Sequence, residues 1–177
     1  MIKKSIKNKI KEYFFVNPTT KLRVRQIERE TKTPLPSVIR YTKELEKEEI
    51  LKSQKISNVK FYSADRSSKE YLIEKKLFNI KQIMTTKLIK QIVKEYDNAN
   101  IVLFGSYSKG EDVENSDIDI YVESSNKNKI NLNKYETELK RNIQIFKYQN
   151  LKEIKNKDFV NSIINGIVLN GFIEVYA

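Results

Sequence analysis

Four residues in the second half of the chain have the types and spacing to handle a phosphate ester: Gly105, Ser106, Asp117 and Asp119. Gly105-Ser106 stands where an apolar run, NIVLFG, gives way to SYSKG, which should turn into a short helix. Glycine lets backbone approach a ligand closely, and a helix N-terminus offers unpaired N–H groups to phosphate oxygens. The Ser106 hydroxyl sits at the same spot, and Lys109 is a further candidate phosphate contact. Asp117 and Asp119 stand two apart in DIDIYVE, whose alternation predicts a strand. Their carboxylates then leave one face, while Ile118, Ile120 and Val122 leave the other. Two carboxylates side by side repel, and their natural partner is a divalent cation. The chain has no Cys and no His, which excludes disulfides, thiolate and imidazole metal sites, and Cys or Ser–His nucleophiles. The cation must therefore be a hard one held by oxygen, with Mg²⁺ the first candidate. In a two-metal scheme one ion lowers the pKa of an attacking hydroxyl and the other stabilises leaving pyrophosphate. An isolated Gly-Ser is an ordinary turn and an isolated Asp-x-Asp an ordinary strand edge; their coincidence after an apolar strand carries the reading.

The elements that must hold these groups follow from the surrounding pattern. From Asn100, short apolar strands alternate with helical stretches: NIVLFG and DIDIYVE as strands, NLNKYETELKR as a helix, NIQIFKY as a strand. KDFVNSIING should be a helix ending at Gly166, and IVLNGFIEVY a terminal strand pair or one bent strand. The expectation is an α+β domain with a small mixed sheet over 99–177.

Residues 67–98 read as connecting helices, capped at Ser67 or Ser68 and broken near Thr85-Thr86. Residues 1–66 read differently. Ile6, Ile10 and Phe14 mark one helical face, and Val24–Glu30 a second short helix with Val24 and Ile27 inward. Pro36 suits the first position of a third helix running to Glu49, with Val38, Tyr41 and Leu45 inward. ILKSQKIS and VKFYSA then flank Ser57-Asn58 as a hairpin. Three helices followed by a basic hairpin is the order of a winged helix. That geometry would turn Ser37, Arg40 and Lys43 toward a major groove and set Lys52, Lys55 and Lys60 against phosphates. The alternative is a small helical protein-interaction module with a solvated basic face.

Charge supports the division. Residues 1–66 carry 17 basic against 8 acidic residues, 67–98 carry 7 against 4, and 99–177 carry 10 against 11. A basic front and a balanced back suggest two modules, the first facing a polyanion such as duplex DNA. No apolar run approaches the length of a membrane span and the basic start lacks a signal-peptide core, so no membrane partner and a cytoplasmic location are expected. A homodimer is an open possibility.

FGSYSKGEDVENSDIDI resembles the nucleotidyltransferase motif of the DNA polymerase β superfamily, a Gly-Ser followed by Asp-x-Asp. It is most similar to the minimal nucleotidyltransferases, including the antitoxin half of HEPN–nucleotidyltransferase pairs. With VIRYTKELEKEEIL and IINGIVLNGFIEVY, the whole chain resembles archaeal proteins in which a winged helix precedes such a domain. The resemblance implies that Gly105 and Ser106 bind the β/γ-phosphates of an NTP, ATP first. It implies that Asp117 and Asp119 are the catalytic carboxylates and hold two Mg²⁺ ions. It also implies transfer of AMP to a hydroxyl of a HEPN-type toxin or of RNA.

One position departs from that pattern. Active members of the superfamily place a third carboxylate on a later strand, and Gln144 in NIQIF stands where it is expected. An amide cannot accept a proton from a hydroxyl and binds Mg²⁺ more weakly. Two functions therefore stay open: a nucleotidyltransferase coupled to a winged helix, or a DNA-binding regulator whose second domain binds nucleotide with little turnover.

Overall fold

The structure, a computed structural model, describes residues 5–175. The chain divides into two compact units, residues 1–78 and 79–177.

In the first unit, α1 (Ile6–Val16) starts at Ser5, whose hydroxyl accepts from the Asn8 amide. It buries Ile10, Phe14 and Phe15. α2 (Val24–Thr31) buries Ile27, and α3 (Leu35–Lys47) buries Val38, Thr42 and Leu45. Pro36 falls at the second helical position, one later than the pattern suggests; Pro34 caps the helix and Leu35 opens it. The inner face of α3 is completed by Thr42, whose hydroxyl donates to the Val38 carbonyl and so needs no water, while Tyr41 is only partly covered. β1 (Leu51–Ile56) and β2 (Val59–Ala64) pair antiparallel. Ser57 and Asn58 both take positive φ, as a two-residue turn matching strand twist requires. Tyr71 and Phe78, from α4 (Lys69–Thr85), close this core against Phe15. The division between the units falls inside α4, so the stretch 67–98 does not form a body of its own.

The second unit is a four-stranded mixed sheet with both faces covered. Its strands are β3 (Asn100–Phe104), β4 (Ile118–Glu123), β5 (Ile143–Tyr148) and β6 (Ile167–Asn170), in the order β5-β4-β3-β6. β4 and β5 run parallel; the other pairs are antiparallel. One face carries Ile101, Leu103, Ile118, Ile120 and Val122, packed on Ile83 of α4 and on Leu88, Ile89 and Ile92 of α5 (Leu88–Glu95). The other carries Val102, Phe104 and Tyr121, covered by Leu151 and by Ile163 of α8 (Lys157–Ile164). Burial on both faces explains why IVLF and IYV read as near-continuous apolar runs. Two short helices, α6 (Gly105–Lys109) and α7 (Asn133–Leu139), follow β3 and precede β5.

The end of the chain differs from the expected strand pair. β6 stops at Asn170, Gly171 turns the backbone at φ 69°, and residues 172–175 join no strand. Asn100 packs directly against Gly171, and its side-chain oxygen accepts from the Phe172 amide. This bond takes a group that a continuing strand would have used in the ladder. Among the described residues, no helix is long and apolar enough to cross a membrane.

Candidate active site

β3 delivers the Gly105 turn. Phe104 is buried in the sheet, and the next residue, Gly105, adopts φ 73°, a conformation that costs an L-residue about 1–2 kcal/mol. α6 starts there, and Gly110 at φ 77° ends it one turn later. The Ser108 hydroxyl donates to the Gly105 carbonyl at 2.8 Å, so that carbonyl is turned into the helix. Ser106 is half-exposed and Lys109 exposed.

β4 delivers the carboxylates beside this turn. Asp119 lies opposite Phe104 on β3, and Asp117 immediately precedes the strand. Ile118 and Ile120 alternate with them into the opposite core. The approach is close: a side chain at Gly105 would collide with the Asp119 carboxylate. Glycine is thus needed twice, for its backbone angle and for the space the carboxylate occupies. Burial first, and the neighbouring Asp117 charge second, push the Asp119 carboxyl above its ordinary value. The pair is held close enough for mutual repulsion, the condition a cation would relieve.

Gln144 stands on β5 in register with Asp119. Its amide donates to Asp117 Oδ2 at 2.5 Å, and Asn142 donates to Asp117 Oδ1 at 3.2 Å. Both carboxylate oxygens of Asp117 therefore face amide donors. Among the described residues, no group of three or more His, Cys, Asp or Glu side chains is placed to share one ion. Asp117 and Asp119 fit a hard cation by donor chemistry, but two carboxylates are a lean set, and Gln144 could add only a neutral oxygen.

The support behind this site leaves no mark in the local sequence. Asp112, in the loop between α6 and β4, is 1% exposed. Its Oδ1 accepts from Asn79 at 2.7 Å, and its Oδ2 lies 3.8 Å from the Arg141 guanidinium. The Asn79 amide also donates to the Tyr107 carbonyl at 2.9 Å. Arg141 directly precedes Asn142, so one buried network ties α6, the loop and the entrance of β5 to the residue that holds Asp117. Nothing in GEDVENSD marks Asp112 as buried, because a carboxylate among polar residues reads as solvated.

Beside Gly105 and Lys109, a cleft of about 430 Å³ is walled by Asn161, Ser162 and Asn165 at the end of α8. Lys109 does line the space next to the turn. The opposite wall is of neutral polar side chains, able to bond sugar hydroxyls or phosphate oxygens without adding charge.

The six basic-face residues of the first unit are also placed. Arg40 and Lys43 of α3 are exposed and Ser37 half-exposed; Lys52, Lys55 and Lys60 are exposed on the hairpin. Three of them already have acidic partners: Arg40 with Glu44 at 2.8 Å, Lys52 with Asp65 at 3.2 Å, and Lys60 with Glu46 at 2.9 Å.

Residues 86–170, from the break before α5 to the end of β6, match the family model described as "Nucleotidyltransferase domain". The match takes in Gly105, Ser106, Asp117, Asp119 and Gln144 and supports nucleotidyl transfer as the general chemistry of this region. Domains of this kind typically use a nucleoside triphosphate and a divalent metal. Comparison with curated proteins and with solved structures gave no match.

Proposed function

We propose that the second unit transfers AMP from ATP to a hydroxyl of a protein or RNA acceptor with Mg²⁺, and that the first unit is a winged helix that binds duplex DNA. The observation that supports the site most strongly is the packing of Gly105 against the Asp119 carboxylate, which brings a phosphate-facing turn and a carboxylate pair together. In the proposed reaction the acceptor oxygen forms a bond to the α-phosphorus, the bond to the β-phosphate oxygen breaks, and pyrophosphate leaves. Backbone N–H groups at the start of α6 and the Ser106 hydroxyl would hold the β/γ-phosphates, with Lys109 at the edge. Mg²⁺ held by Asp117 and Asp119 would supply neutralisation of the leaving pyrophosphate and acidification of the acceptor hydroxyl. Gln144 has no basic atom, so the acceptor proton leaves to solvent or to a group on the acceptor. HEPN-type toxins and RNA are the acceptor classes consistent with the sequence resemblance.

A specific observation favours a second reading. Gln144, in register with Asp119, donates an amide hydrogen bond to Asp117 where a third carboxylate would have added a cation ligand and a base. A regulator that binds nucleotide with little turnover, and DNA through residues 1–66, accounts for it. The two readings separate in one assay, incubation with ATP labelled at the α- or the γ-phosphate, Mg²⁺, and protein or RNA extracts. The enzyme reading expects incorporation of the α-label only, lost in Asp119→Asn. No incorporation from any of the four NTPs leaves the regulator.

A further inference from the structure

The first unit holds a second basic surface, which shares only Lys60 with the residues expected from the sequence to face DNA. Between the start of α2 and the β1–β2 hairpin lies an open cleft of about 560 Å³, lined chiefly by Arg23, Arg25, Arg29, Val24, Val59 and Lys60. The three arginines are exposed. Unlike Arg40, Lys52 and Lys60, none of them forms an ion pair with a described carboxylate. Arg25 and Arg29 stand one helical turn apart, where like charges oppose each other and helix stability gains nothing. The Arg23 guanidinium lies over the Phe61 ring, 5.8 Å from its centroid, which restrains its fork at the cleft mouth.

Three guanidinium forks along two turns of chain, with no acidic partner, match a row of phosphates better than one compact anion. Each fork can take a phosphate bidentately. The apolar floor of Val24 and Val59 suits the sugar edges between phosphates and offers nothing to a bare inorganic ion. The imbalance of 17 basic against 8 acidic residues in 1–66 adds long-range attraction for a polyanion.

We propose that this cleft grips the sugar–phosphate backbone of a nucleic acid through Arg23, Arg25 and Arg29, with Lys60 at its rim. The proposal rests on the reading of the first unit as a nucleic-acid-binding module. It moves the main phosphate contact from α3 and the hairpin tip to α2.

The test is fluorescence anisotropy of the full chain with a labelled duplex, and separately with one of its strands, across a range of NaCl. Arg25→Ala/Arg29→Ala should weaken binding about tenfold or more and lower the slope of log affinity against log salt. The expected drop is about 1.8 on duplex or about 1.4 on a single strand, so the slope also says which form is gripped. Arg25→Lys/Arg29→Lys should keep the wild-type slope, and circular dichroism should show all variants folded. If the alanine pair binds like wild type while Arg40→Ala/Lys43→Ala loses binding, the cleft is overturned and the nucleic-acid reading stands. Equal affinity for poly-glutamate would overturn the nucleic acid as ligand. A wild-type chain that binds neither probe overturns both the cleft and the reading beneath it.

Discussion

The two units differ in where they keep most of their charge. In the first, most cations lie at the surface, with Lys75 the buried exception, and several are matched by carboxylates, as Arg40 is by Glu44 and Lys60 by Glu46. Such pairs sit in water, where screening and side-chain entropy cancel most of the attraction. In the second unit, charge goes inward. Asp112 and Arg141 are almost wholly buried, and the Asp119 carboxylate packs against Gly105. Burying charge is costly, so a fold keeps such groups only when they are paired or when a ligand completes them. The difference bears on where each unit would meet a partner. On the functions proposed above, the first would do so through cations outside these ion pairs, Arg23, Arg25 and Arg29 foremost, and the second through the Asp117–Asp119 pair.

The comparison can be broken most severely at Asp112. Asp112→Ala should destabilise the second unit by about 3–5 kcal/mol, because it removes the buried carboxylate that accepts from Asn79 and faces the Arg141 guanidinium. Urea unfolding followed by a probe in that unit measures it, and a loss under 1 kcal/mol would mean the network carries no weight. Next comes Gly105→Ala. The unfavourable φ and the collision with Asp119 should displace the carboxylate and cut any turnover by roughly a hundredfold, the scale of an ångström-sized misplacement.

Asp119→Asn should act in opposite directions on function and stability. The folded Asp119 carboxyl has its pKa raised by burial and by Asp117. The folded state thus binds its proton more tightly than the unfolded state does, and stability falls as pH rises from the ordinary carboxylate value through the raised one. At neutral pH the full penalty is present. Asp119→Asn should therefore raise the melting temperature at pH 7 and lose that gain at acid pH, while cation binding fails. A melting temperature lowered at pH 7 would contradict the picture of a strained pair. The smallest effect belongs to the surface pairs: Lys52→Ala should change stability by roughly 0–1 kcal/mol, less in high salt.

Much of this arrangement was legible in the residues. Ser57-Asn58 announced the hairpin, and the Ile118, Ile120, Val122 alternation announced which way Asp119 would face. Gly105 after an apolar run announced the turn. What stayed hidden depends on partners distant in sequence. The parallel pairing of β4 with β5 sets Gln144 opposite Asp119, and local periodicity carries no sign of parallel or antiparallel pairing. The burial of Asp112 depends on Asn79 and Arg141, 33 residues before it and 29 after. The terminal run IVLNGFIEVY is mostly apolar, yet among its described residues only the first part pairs, because a side chain on β3 intercepts the backbone at Phe172. Pattern reports which residues want burial; the ladder's end is set by competition for hydrogen bonds.

The central claim is that the Gly105 turn and the Asp117–Asp119 pair form one site for a nucleotide with its cation. Equilibrium binding of a non-hydrolysable ATP analogue, with and without Mg²⁺, to wild type and to Asp117→Asn/Asp119→Asn tests it most directly. The account predicts saturable binding that Mg²⁺ strengthens in the wild type and leaves unchanged in the double variant. Equal binding by both proteins with Mg²⁺ present, or none by either, would contradict it.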